Sequence, residues 1–113
     1  MESRAERKEA ISKFKERKPN MGAYAIRCAA SGQVWVGGSR NLDAAKNAEL
    51  FALRMGNHRD KTLQADWNLY GEDDFVYEVL EKLEDDLHPM AVADLLKAKR
   101  AHWVTQLAAR QLL

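Results

Sequence analysis

The feature that most constrains this chain is a pair of short apolar runs separated by a tight turn. Residues 21–30 and 33–37 are rich in apolar and strand-forming side chains, and Ser31 and Gly32 mark the turn between them. A short link that contains glycine between two such runs predicts a β-hairpin. Gly37 begins a Gly-Gly-Ser sequence that ends the second strand.

Further helix and strand signals follow the hairpin along the chain. Asn41 is a suitable N-cap for a helix over residues 42–55, and a second helix is predicted over residues 60–70. Residues 75–80 have the apolar and aromatic composition of a third strand. Pro89, a residue favoured in the first helical turn, opens a last helix. This order predicts an α+β fold, a small three-stranded antiparallel sheet flanked by helices.

The N-terminal residues differ in composition from the rest. Residues 2–17 are rich in Glu, Lys, Arg and Ala, which favour helix, but Ile11 and Phe14 give them only a thin apolar stripe. Pro19 ends this segment. We therefore predict a charged helical arm over residues 1–19, which is an extra N-terminal helix, and a folded domain over residues 20–113.

Composition bounds the class of protein. The length of 113 residues suits one domain with one core. The single cysteine, Cys28, cannot form an internal disulfide, which agrees with the cytoplasm. No apolar run approaches the ~20 residues that cross a bilayer, and the N-terminus lacks the apolar core of a secretory signal. We expect a cytoplasmic protein without a membrane span.

Charge is unevenly distributed along the chain. The net charge is +1, which does not by itself indicate a nucleic-acid partner. Residues 1–20 hold seven Lys and Arg against four acidic residues, a balance of +3, and residues 87–113 hold four against one, also +3. Residues 72–86 hold eight acidic residues against one lysine, a balance of −7. This distribution permits a basic face, although solvated helix surfaces account for it equally well.

Two tripeptides resemble the signature of the GIY-YIG nucleases. They are Gly-Ala-Tyr at 22–24 and Trp-Val-Gly at 35–37. Residues 56–71 are similar to the second helix of that family, and residues 74–81 to its third strand. The resemblance covers residues 21–107 and implies the family's fold. It also implies a relation to enzymes that hydrolyse a DNA phosphodiester bond with one divalent metal ion.

The family's catalytic residues are only partly matched. Its members use two tyrosines, an arginine, often a histidine, and a glutamate that holds the metal. Tyr24 and His58 match the first tyrosine and the histidine. The second tyrosine is Trp35, whose indole cannot act as a general base. Ala45 stands at the position of the arginine, and Arg100, a permanent cation, stands at the position of the glutamate.

These replacements predict a catalytically inactive relative that serves as a small DNA-binding, regulatory protein. If the fold holds, its arginines are expected to converge on the old active site and bind phosphate without a metal. Tyr24 and Trp35 are expected either to fill the core or to present a surface to a base or sugar. The candidate DNA-binding residues are Tyr24, Trp35, Gly37, Arg40, His58, Arg59 and Arg100.

Two alternatives stay open. The chain could be a divalent-metal-dependent endonuclease with a non-standard site, in which Glu49, one helical turn after Ala45, holds Mg²⁺. It could instead be a protein-interaction module that binds a partner, or a second copy as a homodimer, through residues 1–19. No cofactor is expected for the inactive form. The sequence has no His/Cys cluster of the kind that binds zinc.

Overall fold

The computed structural model of the chain describes residues 20–84 and 87–112. The predicted arm over residues 1–19 lies outside these residues. The described strands are β1 Gly22–Cys28, β2 Val34–Ser39, β3 Phe75–Lys82 and β4 Arg110–Gln111. The helices are α1 Leu42–Met55, α2 Lys61–Tyr70 and α3 Pro89–Leu107, with one 3-10 turn over Glu72–Asp74. The predicted α+β class is confirmed.

The strands form one sheet in the order β3-β1-β2-β4. β1 pairs antiparallel with β2, as predicted for the hairpin, and also pairs antiparallel with β3. The sequence did not predict β4, which pairs parallel with β2. This strand has only two exposed residues and no apolar alternation. It is held beside β2 because the Leu112 N–H donates to the Val36 carbonyl at 2.9 Å, while the Leu112 side chain is buried.

One face of the sheet packs against α1 and α2. Tyr24 of β1 bonds to Glu49 of α1, and Trp35 of β2 bonds to Thr62 of α2, so both aromatic rings point to this face. Ile26 lies opposite Trp35 in the strand register and is buried with it. These apolar side chains form the core between the sheet and the two helices.

The helix α3 covers the opposite face. Neighbouring residues of a strand point to opposite faces, and a β-carbon placed on Gly38 would lie 3.4 Å from the Leu96 carbonyl oxygen of α3. Ala23 pairs with Gly38, and Ala23 and Ala25 are completely buried. These small residues allow α3 to lie close to the sheet.

Capping residues fix the helix ends. The Asn41 side chain accepts from the Ala44 N–H, as expected for an N-cap, and Gly56 ends α1 in the left-handed conformation, with φ of 79°. Asp60 caps α2 and His88 caps α3. Among residues 20–84 and 87–112, no helix has the length and apolar character to cross a membrane.

Candidate functional site

A cleft of about 300 Å³ opens between α1, the end of β2 and the loop after α1. Three of the five positions that the sequence resemblance matched to GIY-YIG catalytic residues line it, namely Tyr24, Ala45 and His58, whereas Trp35 and Arg100 do not. We call it the cleft. Its lining residues are Tyr24, Gly38, Ser39, Ala45, Ala48, Glu49, Ala52, Asn57, His58 and Arg59.

The inner wall of the cleft holds a buried carboxylate between two hydrogen-bond partners. The Tyr24 hydroxyl donates to Glu49 Oε2 at 2.5 Å, and His58 Nε2 bonds to Glu49 Oε1. All three side chains are more than nine-tenths buried. A buried carboxylate requires hydrogen-bond donors in place of water, and these two residues supply one for each oxygen. We refer to the three residues as the Glu49 network.

Backbone contacts determine the tautomer of His58. Its Nδ1 accepts from the Asp60 N–H at 2.9 Å, so Nδ1 carries no proton and the ring hydrogen of the neutral imidazole lies on Nε2. The Nε2–H therefore donates to Glu49. The His58 N–H donates to the Gln64 side chain, which in turn donates to the Leu53 carbonyl. Both ring nitrogens are thus engaged, and the imidazole has no lone pair left to accept a proton from water.

Gly37 explains how the tyrosine reaches the carboxylate. A β-carbon at Gly37 would lie 2.8 Å from the Tyr24 hydroxyl oxygen and 3.1 Å from the Leu112 side chain. No side chain fits there unless the ring moves. Gly37 was predicted as a DNA contact, and the structure instead places it beneath the Tyr24 ring.

The phenol of Tyr24 is held in its neutral form. Burial raises its pKa far above the usual value, and the hydrogen bond to Glu49 and the charge of that carboxylate raise it further. Tyr77 stacks on Tyr24 with ring centroids 5.0 Å apart. Burial also raises the pKa of Tyr77, with smaller contributions from the charges of Glu49 and Asp43. Tyr24 is therefore a hydrogen-bond donor at neutral pH, and its phenolate is not available as a base.

These shifts predict alkaline unfolding. In the unfolded chain each tyrosine ionises near its usual pKa of about 10. In the folded chain Tyr24 and Tyr77 stay protonated, so stability is complete below about pH 10 and decreases as pH rises above it. In a titration followed by tyrosinate absorption, we expect at most one of the three tyrosines to ionise before the fold is lost.

The variant Tyr24→Phe is the control for this titration. It removes one of the two tyrosines whose pKa is raised, so its stability should decrease less steeply above about pH 10 than that of the parent chain. Ionisation of all three tyrosines while circular dichroism still shows the folded chain would contradict the burial of these hydroxyl groups.

Trp35 lies outside the cleft and is completely buried. Its indole Nε1 donates to the Thr62 hydroxyl of α2 at 2.9 Å. A ring in this position cannot present a surface to a base or sugar, so the expected DNA contact at Trp35 is not possible. The side chain fills the core because it shares the covered sheet face with Tyr24.

The three arginines do not converge as expected. Arg59 lines the cleft, whereas Arg40 and Arg100 are not among its lining residues. Arg100 lies on α3, which packs on the opposite face of the sheet, and Arg40 is exposed in the turn after β2. Glu49 also lines the cleft. The charged side chains among its described lining residues are therefore one carboxylate and one guanidinium, whose charges cancel.

With its present hydrogen bonds, the cleft does not offer a divalent metal ion a set of oxygen ligands. Magnesium sites use six oxygen ligands, of which one or two are carboxylates and several are waters, and calcium sites use six to eight oxygen ligands. Within residues 20–84 and 87–112, no group of three or more His, Cys, Asp or Glu residues could hold a metal. Both oxygens of Glu49, which we considered as a ligand of Mg²⁺, already accept hydrogen bonds from Tyr24 and His58.

Two supporting residues of the site were missed in the sequence. Gln64 receives the His58 N–H, and Asp60 supplies the N–H that fixes the ring. A signal for each was present. Asp60 directly precedes a helix, where it is a favoured N-cap, and Gln64 lies three residues before Trp67, on the buried side of α2.

Comparison with known proteins gives matches among solved structures. No known family profile matches the chain, and no curated protein sequence does. The catalytic domain of the homing endonuclease I-TevI superposes with a TM-score of 0.69 at 22% identity, over 82% of this chain and 98% of that one. A mutant form of that domain superposes with a TM-score of 0.66 at 22% identity, over 79% and 84%. The predicted fold is confirmed: this chain has a GIY-YIG-like fold.

Proposed function

We propose that this chain is a DNA-binding domain of a small regulatory protein and that it does not hydrolyse phosphodiester bonds. The observation that carries the proposal is the closed Glu49 network. In it, Tyr24 and His58 direct their protons at one buried carboxylate. The groups that a nuclease would use on water and phosphate are here bound to each other.

Phosphodiester hydrolysis needs a base for the attacking water, a cation for the developing charge, and a metal ion for the leaving oxygen. The cleft offers a protonated Tyr24 and a His58 whose two nitrogens are engaged. Ala45 stands where the family has an arginine. Loss of a single charge-stabilising group lowers rates by about 10²–10³. The combined losses are expected to leave no measurable cleavage.

DNA binding is supported by the fold, by one arginine that lines the cleft and by another in the turn after β2. The matched domain belongs to a homing endonuclease. Arg59 lines the cleft, and its guanidinium is suited to a backbone phosphate near the opening. Arg40, in the turn after β2, is exposed and offers a further phosphate contact.

The test is one assay on supercoiled plasmid, evaluated for cleavage and for retardation. With Mg²⁺ or Mn²⁺ present, we expect retarded plasmid and no nicked product. In a gel shift, affinity should fall steeply between about 50 and 200 mM salt, as it does when several phosphates are neutralised. Arg59→Ala should weaken binding and reduce the salt slope by about one contact.

Arg110→Ala is the matched control, because it removes the same charge from β4, at the edge of the sheet. Its DNA affinity should stay close to that of the parent chain. Equal losses for both variants would mean that the cleft has no special part in binding.

A second candidate function is favoured by one observation. Glu49, His58 and Tyr24 share the cleft, so a metal ion that displaced the two hydrogen bonds would meet a carboxylate and an imidazole. The chain would then be an endonuclease with a non-standard site. Plasmid nicking that needs Mg²⁺ and is lost in Glu49→Gln would establish this function in place of the first.

The third candidate, a protein-interaction module that acts through residues 1–19, concerns residues outside the described part of the chain. It gains support only if the chain neither retards nor nicks plasmid. Light scattering would then show whether removal of residues 1–19 changes a homodimer into a monomer.

A further inference from the structure

We propose that the cleft receives a single nucleobase turned out of the DNA helix, while the phosphates stay at its rim. This inference rests on the proposed DNA-binding function. It identifies a base as the part of the DNA that enters the cleft. In a nuclease site the group that enters would be the phosphate to be cleaved.

The charge of the cleft excludes a phosphate from its inner end. The Glu49 carboxylate forms part of the inner wall, and phosphate oxygens that approached it would be repelled at short range in a site of lowered dielectric. Ala45 contributes no cation to offset this repulsion. Arg59 is the one Lys or Arg among the described lining residues. The inner end therefore suits an uncharged group.

The size and the walls of the cleft suit a flat heterocycle. Its volume of about 300 Å³ is at the lower end of the range for small-molecule sites. A cleft of this volume is too small for a peptide helix but large enough for one base. Ala45, Ala48 and Ala52 recur at three- and four-residue spacing, so they form one apolar side along α1. Gly38 and Ser39 form the wall at the end of β2. Apolar side walls with polar groups at one end are the usual surroundings of a flipped base.

The rim carries groups that could hold the rest of the nucleotide. Asn57 and Arg59 are both exposed and lie on the loop after α1. An amide can bond to a base edge, and a guanidinium can bond to the phosphate next to the flipped nucleotide. The arrangement places the anionic part of the nucleotide near the cation and the neutral part beside the alanines.

The test uses the fluorescence of 2-aminopurine, which increases when this base leaves the stack. A duplex with 2-aminopurine in a mismatch is titrated with the full chain, because a mismatched base costs least to turn out. We expect a rise in fluorescence that saturates together with binding measured by anisotropy. Free 2-aminopurine deoxynucleoside forms a second arm, and we expect it to bind far more weakly, because it lacks the flanking phosphates.

A matched pair of variants locates the base. Ala48→Leu fills the cleft, whereas Ala44→Leu places the same side chain on an exposed position of α1 outside it. The fluorescence rise should fall by about tenfold in Ala48→Leu, which corresponds to about 1.4 kcal/mol against the flipped base, and stay unchanged in Ala44→Leu. Ala45→Leu fills the same cleft and replaces Ala48→Leu if that variant does not fold, as judged by circular dichroism.

The outcomes distinguish this inference from the proposed DNA-binding function on which it rests. DNA binding without a fluorescence rise, or a rise that Ala48→Leu and Ala44→Leu leave equally intact, overturns the nucleobase site and leaves DNA binding in place. Absence of binding to any duplex overturns both. If the free deoxynucleoside binds saturably and the duplex gives no fluorescence rise, the cleft is a site for a free heterocycle. That result would overturn the DNA base as its ligand.

Discussion

Replacement of Glu49 with alanine is expected to lower the free energy of unfolding by about 2–6 kcal/mol, because two buried donors lose their acceptor and each costs about 1–3 kcal/mol when unsatisfied. The Tyr24 hydroxyl and the His58 Nε2–H would both remain buried without their acceptor. Domains of this size have total stabilities of about 5–15 kcal/mol. The expected loss is therefore a large fraction of the total, and the variant should unfold at a clearly lower urea concentration than the parent chain.

Urea denaturation followed by circular dichroism measures this loss. The control is Glu78→Ala, whose carboxylate bonds to Arg27 at 2.7 Å with both side chains more than one-third exposed. A surface ion pair contributes about 0–1 kcal/mol, so this variant should stay close to the parent chain. Glu49→Gln keeps one acceptor oxygen and should lie between the two.

The same measurement separates a structural role of Glu49 from a role as a metal ligand. If Glu49 is a structural acceptor, its removal reduces stability whether or not a metal ion is added. If it were a metal ligand in a strained site, Glu49→Ala would leave the chain about as stable as Glu78→Ala and would lower stabilisation by Mg²⁺ or Mn²⁺. A loss below about 1 kcal/mol would contradict the structural role of the Glu49 network.

The local parts of this fold were predictable because their causes are local. The hairpin is specified by two apolar runs and the turn at Ser31 and Gly32, and the structure has β1 and β2 in that place. Asn41 and Gly56 delimit α1 because one accepts from a free helix N–H and the other adopts a left-handed conformation without strain. Neither effect depends on the rest of the chain.

The site was harder to predict because it depends on distant contacts. Glu49 meets a tyrosine 25 residues earlier in the chain, and no spacing rule connects them. Alternation along β1 and β2 puts Tyr24 and Trp35 on one sheet face, but does not show that α1 and α2 cover that face. Arg100 matches a catalytic position in sequence, yet it lies on α3, across the sheet. Side-chain positions of this kind follow from packing, which the sequence pattern does not specify.

Trp35→Ala is expected to lower the free energy of unfolding by about 3–5 kcal/mol, because a large side chain is removed from a completely buried site. Two losses combine in it. The indole leaves a cavity between β2 and α2, and the Thr62 hydroxyl loses the donor that bonds to it at 2.9 Å. Urea denaturation followed by far-ultraviolet circular dichroism is the measurement, since Trp35 itself contributes to fluorescence.

Trp103→Ala is the matched control for this change. Its indole also donates a hydrogen bond, to Glu81 at 3.0 Å, but the side chain is only half-buried on α3. The same substitution should therefore cost less there. A gel shift at a temperature where Trp35→Ala remains folded then distinguishes the two roles proposed for Trp35. If Trp35 is a core residue, Trp35→Ala leaves the DNA affinity of the folded fraction unchanged. If Trp35 were a platform for a base, the variant would lose about 1–3 kcal/mol of binding free energy with little change in stability.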